Sequence, residues 1–191
     1  MRRSRARPYE LHVRSRVTPK AQTLALEFRN TGRAGAVFHV YDKQHLEHIP
    51  RRYTVEPGKA LTDAWTLAED KGRYDLWVCA PNGFLREFRG NLTTRHAFTD
   101  LYLEYDLPKT TARLIATNHG ARPAVLTVSA NAYRTDGPWP LQIAPAQRVV
   151  REWPLISSHG WYDLTVKGDD FERRFAGRME TGKSGFSDPA V

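Results

Sequence analysis

The sequence predicts an all-β protein built as two immunoglobulin-like β-sandwiches in tandem. Three observations carry that reading. Turn residues recur about every ten positions, and helical periodicity is nearly absent. Short segments alternate apolar and polar side chains, as in strands with one buried face. The second half of the chain repeats the first at a nearly constant offset.

The strands follow in order. In the first copy they are predicted near Tyr9–Arg14, Thr23–Asn30, Ala36–Asp42, Arg52–Val55, Ala60–Leu67, Arg73–Cys79 and Leu85–Asn91. Leu24, Leu26 and Phe28 share one face, as do Tyr74, Leu76 and Val78, with Asp75 and Trp77 opposite. In the second copy Leu114, Val125, Thr127, Leu164 and Val166 continue the pattern. Asn30-Thr31-Gly32 and Pro81-Asn82-Gly83 supply turn chemistry, because Asn and Gly tolerate positive φ. About seven short strands in some 90 residues suit an immunoglobulin-like sandwich, with a partly closed β-barrel as the alternative. Asp70-Lys71-Gly72-Arg73-Tyr74 has the form of a tyrosine corner, in which the hydroxyl bonds to backbone just upstream. Ser158-His159-Gly160-Trp161-Tyr162 occupies the same place in the second copy. Trp65 and Trp153 are the expected core aromatics, and Tyr74 and Tyr162 the expected structural tyrosines.

The repeat has an offset of 88 residues. Asn30, Ala36, Val40, Pro57, Trp65, Gly72, Tyr74 and Leu76 match Asn118, Ala124, Val128, Pro145, Trp153, Gly160, Tyr162 and Leu164. One deletion later the offset is 87, and Phe84, Arg86, Phe88 and Gly90 match Phe171, Arg173, Phe175 and Gly177. Chance does not hold one register across Trp, Pro, Gly and Tyr together. The expected division is a basic linker or start over 1–8, a first sandwich over 9–93, a second over 98–180, and a tail over 181–191. Residues kept in both copies serve the shared fold, whereas residues that differ are free for surface or function.

Composition narrows the function. The chain of 191 residues is 40% hydrophobic with five Trp, enough for a packed core. No apolar run approaches the ~20 residues of a membrane-spanning helix. The single Cys79 excludes an intrachain disulfide framework and a Cys-rich zinc site. The net charge is +8, but four of the 29 basic residues stand in the first seven positions. That is a basic start on a solvated surface, and nucleic acid is not the expected partner. No apolar stretch follows the basic start as in a signal peptide. The start reads as a linker, so a fragment of a longer protein or an internal start is expected.

Gly-Arg-Tyr-Asp-Leu-Trp-Val, Asn-Gly-Phe-Leu-Arg-Glu-Phe-Arg-Gly-Asn and Gly-Trp-Tyr-Asp-Leu-Thr-Val resemble the tandem C-terminal domains of bacterial phosphocholine-type phospholipases C. The run from Phe175 to Ala190 resembles the C-terminus of those enzymes. The likeness covers nearly the whole chain. It implies a missing upstream catalytic domain, related to acid phosphatases, that hydrolyses phosphatidylcholine or sphingomyelin to phosphocholine. It further implies export of the parent, secreted or periplasmic, and a non-catalytic accessory role for this chain. No position matches the family's catalytic motifs, so no catalytic residue carries over. The implied partners are the catalytic domain of the same polypeptide and a zwitterionic membrane surface.

The residues themselves offer little catalytic chemistry. His45 and His48 lack an evident third metal ligand, and Tyr133 and Asp136 replace them in the second copy. A solvated loop is the expected reading, and no metal or cofactor is expected. His39, His96, His119 and His159 stand alone. Ser157-Ser158-His159 occupies a turn, and Asp169-Asp170 a hairpin. No G-x-S-x-G elbow is present. Gly177 to Ser184 matches the Walker pattern formally, but Pro189 follows too soon for a phosphate-binding helix. Cys79 has no neighbour that would lower its thiol pKa. Surface binding is the better prospect. Trp77, Trp139 and Trp161 replace Thr165, Arg51 and Arg73 of the other copy. Cover of the joint between the sandwiches or docking on the missing catalytic domain is the first reading, and an exposed Trp beside Arg also suits a membrane interface, a glycan or a protein contact. Arg86 and Arg173 are expected on a solvated strand face within reach of phosphate. The alternative function is an independent binding module for lipid headgroup, glycan or protein.

Overall fold

A computed structural model describes residues 2–188. Sixteen strands and two short 3-10 turns make up its regular structure. The strands are β1 (Arg3–Ser4), β2 (Leu11–Thr18), β3 (Thr23–Asn30), β4 (Ala36–Asp42), β5 (Arg51–Val55), β6 (Ala60–Thr66), β7 (Arg73–Ala80) and β8 (Phe84–Asn91). The second half holds β9 (Thr99–Asp106), β10 (Thr111–Asn118), β11 (Ala124–Ala132), β12 (Trp139–Ile143), β13 (Arg148–Pro154), β14 (Trp161–Gly168), β15 (Phe171–Arg178) and β16 (Gly185–Phe186).

Each repeat is a two-layer sandwich consistent with the immunoglobulin-like class. In the first, the sheet β2-β3-β6 covers β5, β4, β7 and β8. In the second, β9-β10-β13 covers β12, β11, β14 and β15. The alternation seen in the sequence sets which side chains face inward. Leu24, Leu26 and Phe28 meet Phe38, Val40, Leu76 and Val78 in one core. Leu101, Leu103 and Leu114 meet Val128, Leu164 and Val166 in the other.

The larger sheets are not separate. They form one antiparallel eight-stranded sheet, β12-β11-β14-β15-β8-β7-β4-β5. The edge strands β8 and β15 pair from Phe171 opposite Gly90 to Ala176 opposite Leu85. An unpaired edge is a template for association, and this pairing closes two of them. The strands are counterparts in the duplication, so the ladder has a local twofold axis. Glu87 stands opposite Arg174, its own counterpart. The same relation holds on the opposite layer, where the Arg14 guanidinium lies 3.7 Å from the ring centre of its counterpart Tyr102. Arg14 also donates to Glu104 at 2.9 Å.

Buried Asn30 and Asn118 organise the same loop in both repeats. Asn30 Nδ2 donates to the carbonyls of Ala34 and Val55, and its Oδ1 accepts from the Gly32 amide. Asn118 makes the equivalent bonds to Arg122, Ile143 and Gly120. The expected positive φ does not apply at Asn30 or Gly32. Gly32 is needed for close approach, since a Cβ there would lie 2.4 Å from the Pro8 carbonyl oxygen. Asn82 and Gly83 do have positive φ, at 66° and 71°.

The segments expected as linker and tail meet. β1 pairs with β16, and the Arg7 amide donates to Glu180 at 3.1 Å. The tail expected over 181–191 runs past the described residues, as does the end of the Phe175–Ala190 likeness.

Candidate functional site: the joint between the repeats

The joint is built around two buried arginines. Arg86 on β8 and Arg173 on β15 are each 1% exposed. This corrects the expectation of a solvated strand face. Both occupy the parity of Phe84 and Phe88, or of Phe171 and Phe175, which is the core face of the shared sheet. Each guanidinium reaches across the twofold axis. Arg86 donates to the Ala176 carbonyl at 2.8 Å and to the Tyr162 hydroxyl at 2.9 Å. Arg173 donates to the Arg89 carbonyl at 2.9 Å and to the Tyr74 hydroxyl at 2.7 Å. Each also sits over ring faces. Arg86 lies 4.1 Å from the centre of Phe84 and 5.5 Å from Phe175. Arg173 lies 4.2 Å from Phe171 and 5.4 Å from Phe88. Among the described residues neither cation pairs with a carboxylate. Carbonyls, hydroxyls and ring faces take that place.

The two tyrosines therefore depart from the tyrosine-corner expectation. Their hydroxyls do not turn back to local backbone but bond to an arginine of the other repeat. Gly90 makes room for this, because a Cβ there would lie 2.5 Å from the Tyr74 hydroxyl. Tyr162 has a second partner, the Tyr105 hydroxyl at 2.5 Å. Burial first, and then Tyr162, hold the Tyr105 phenol well above its usual pKa.

The outer face of the same strands carries a charge row. Arg174 donates to Glu87 at 3.0 Å and bidentately to Asp163 at 2.9 and 2.7 Å. Asn131 adds a bond to Asp163 at 2.7 Å.

The three singled-out tryptophans do not converge. Trp161 is buried against the first repeat, which fits cover of the joint and not an exposed anchor. Its ring packs on Gly83 of the first repeat, and its Nε1 donates to the Phe186 carbonyl. Trp139 packs tilted against Trp153, at 58° with ring centres 5.3 Å apart, and Arg134 and Arg151 lie over its ring. Trp77 is half-buried on the outer face, with the Lys43 ammonium 4.3 Å from its ring centre. Trp65 and Trp153 are buried, one in each core.

The remaining candidates are placed in turns or held by neighbours. Ser158 donates to the Leu155 and Trp161 carbonyls. His159 and Asp170 occupy left-handed turn positions. The Walker-like segment leads from β15 into a turn and β16. Burial, with Glu87 nearby, pushes the Cys79 thiol up.

A twofold joint between duplicated units should leave its mark on both copies, and comparison with known proteins finds the duplication again. The family described as "Bacterial phospholipase C, C-terminal domain" matches twice, over residues 3–91 and 100–178. The chain belongs to this family. It is 42% identical over 199 residues to a non-hemolytic phospholipase C of Pseudomonas aeruginosa, covering 100% of this chain and 29% of the relative. A non-hemolytic phospholipase C of Burkholderia pseudomallei is 41% identical, covering 100% of this chain and 28% of the relative. The hemolytic phospholipase C of Pseudomonas aeruginosa is 35% identical over 96% of this chain and 29% of its own length. The chain thus spans less than a third of these relatives. In this member of the phospholipase C C-terminal family, each of the two matched copies contributes one arginine and its counterpart tyrosine, Tyr74 or Tyr162, to the joint, and the second adds Tyr105. No helix among the described residues is long and apolar enough to cross a membrane.

The joint was missed in the sequence, although a signal was present. The pattern Phe-x-Arg-x-Phe occurs in both copies, at Phe84-Arg86-Phe88 and Phe171-Arg173-Phe175. Strand alternation puts that arginine on the same face as its phenylalanines.

Proposed function

We propose that this chain is the non-catalytic C-terminal region of a bacterial phospholipase C. It supports a catalytic domain of the same polypeptide, which hydrolyses phosphatidylcholine or sphingomyelin to phosphocholine. The observation that carries this reading is the double family match in a chain spanning under a third of relatives named phospholipase C. The parent is exported, secreted or periplasmic, in this reading. The first sandwich spans 9–93 and the second 98–180, and the shared sheet makes the pair one rigid support. Trp77, beside Lys43 on the outer face, is the residue suited to a zwitterionic membrane surface.

The test adds the purified chain to the separately expressed upstream part of the Pseudomonas aeruginosa non-hemolytic relative. A complex in gel filtration and increased phosphocholine release from phosphatidylcholine vesicles are expected. Phosphocholine release by the chain alone, or no complex, overturns the reading. Co-sedimentation with phosphatidylcholine vesicles at physiological salt tests surface placement. Binding that survives added salt and weakens in Trp77→Ala supports it, and absence of binding removes it.

A further inference from the structure

The loop between β4 and β5 gathers a ligand set that sequence spacing did not reveal. His45, Glu47 and His48 each offer a ligand atom, and these atoms all lie within 4.8 Å of one another. Glu47 Oε1 stands 3.5 Å from His45 Nδ1 and 3.7 Å from His48 Nε2. Ligands around a tetrahedral zinc, at bond lengths near 2.0–2.1 Å, are roughly 3.3 Å apart. These two separations therefore need only a small closure. The His45 and His48 rings are near-parallel, at 12° and 5.1 Å between centres.

A fourth residue fixes the first ligand. Asp70, from the β6–β7 turn, has its Oδ1 2.9 Å from His45 Nε2. An ionised carboxylate only accepts, so Nε2 carries a proton, and Nδ1 is the nitrogen left to face Glu47 and to bind a cation in place of any proton of its own. This is the arrangement by which metal-binding histidines are oriented, with the far ring nitrogen donating to a carboxylate. The fold does not require these residues. In the second repeat their positions hold Tyr133, Thr135, Asp136 and Ser158. Ser158, in place of Asp70, bonds only to backbone of its own turn. The set therefore exists in one copy only, on an exposed loop that need not carry it.

We propose that His45, Glu47 and His48 form a binding site for a zinc-class divalent cation, with Asp70 positioning His45. Two imidazoles and one carboxylate suit zinc better than magnesium or calcium, which take oxygen ligands. Three protein ligands leave a fourth position for water or for a side chain of a partner. The site is independent of the accessory role proposed above.

Titration of the full, tag-free chain with zinc chloride by calorimetry at pH 7.5 tests this. Saturation at one equivalent is expected. It should be lost in His48→Ala and retained in His119→Ala, which removes an exposed histidine of the second repeat. Asp70→Asn should weaken binding roughly 10–100-fold while leaving the stoichiometry unchanged. Thermal melts without metal check folding, and the His48→Ala melt should match the parent because the loop is exposed. Absence of saturable binding, or equal binding in His48→Ala, overturns the site.

Discussion

The two repeats meet through the same residues, yet they do not meet equally. Arg86 and Arg173 are counterparts, and each reaches a tyrosine and a carbonyl of the other repeat. Arg86 has one partner more, the Tyr105 hydroxyl at 3.3 Å, because the counterpart of Tyr105 is Val17. Arg173, by contrast, has a buried Nε without a partner. The outer face differs more sharply. Glu87 and Arg174 are counterparts that became opposite charges, so the twofold axis carries an ion pair where identical residues would repel. The consequence reaches the next strand. Asp163 is held by Arg174, whereas its counterpart Asp75 has Glu87 in the corresponding place. Burial first, and Glu87 among the nearby charges, hold the Asp75 carboxyl above its ordinary value. Divergence after duplication has thus turned a self-complementary contact into a directional one.

Removing the buried arginines tests the inner half of this comparison and should have the largest effect. Arg86→Ala strands the Ala176 carbonyl and the paired hydroxyls of Tyr105 and Tyr162, and it empties a cage of rings. A loss of about 3–5 kcal/mol is expected. Arg173→Ala should cost less, because it removes fewer satisfied bonds and one unsatisfied donor. Urea unfolding of both variants measures the order. Equal losses would mean that the Tyr105 hydroxyl contributes nothing to the asymmetry.

The outer half predicts a smaller step. Glu87→Lys restores like charges at the axis and should lower stability by about 1 kcal/mol, since the pair is only partly screened. Arg174→Ala should cost more, about 2 kcal/mol, because buried Asp163 then keeps only Asn131. Midpoint shifts in urea distinguish the two. A Glu87→Lys variant as stable as the parent would show that the charge exchange is incidental to the joint.

Much of the fold was legible because it depends on alternation and turns. The strand containing Tyr74, Leu76 and Val78, and the run Leu24, Leu26 and Phe28, announce their buried faces directly. The duplication was legible because Trp, Pro, Gly and Tyr cannot be exchanged freely. The pairing of β8 with β15 was not legible, since edge strands carry no residue code for a partner strand. Arg86 and Arg173 were misplaced for a related reason. A guanidinium reads as surface because burying an unpaired charge is costly. Only the tertiary structure supplies the carbonyls, hydroxyls and rings that offset the cost. Trp161 was left between two readings, joint cover and exposed anchor, and only the fold sets it against Gly83. The His45–Glu47–His48 set was half legible: spacing named the histidines, but only the loop's fold turns Glu47 toward both, and Asp70, which orients His45, comes from another part of the chain.

The smallest expected effect separates the repeats by pH. Tyr53, whose counterpart is Leu141, donates its hydroxyl to Asp63 in the first repeat only. Burial, reinforced by the Asp63 carboxylate, pushes its phenol up to about 12. The folded protein thus favours the neutral phenol over the unfolded chain, in which the group titrates near 10. The stability this contributes is complete below pH 10 and is lost as pH rises toward 12. The second repeat has no such group at the matching position. Melting temperatures measured from pH 9 to 11.5 should therefore fall less steeply in Tyr53→Phe than in the parent. Parallel slopes would place the alkaline sensitivity elsewhere, with partly buried Tyr105 at the joint as the next group to substitute.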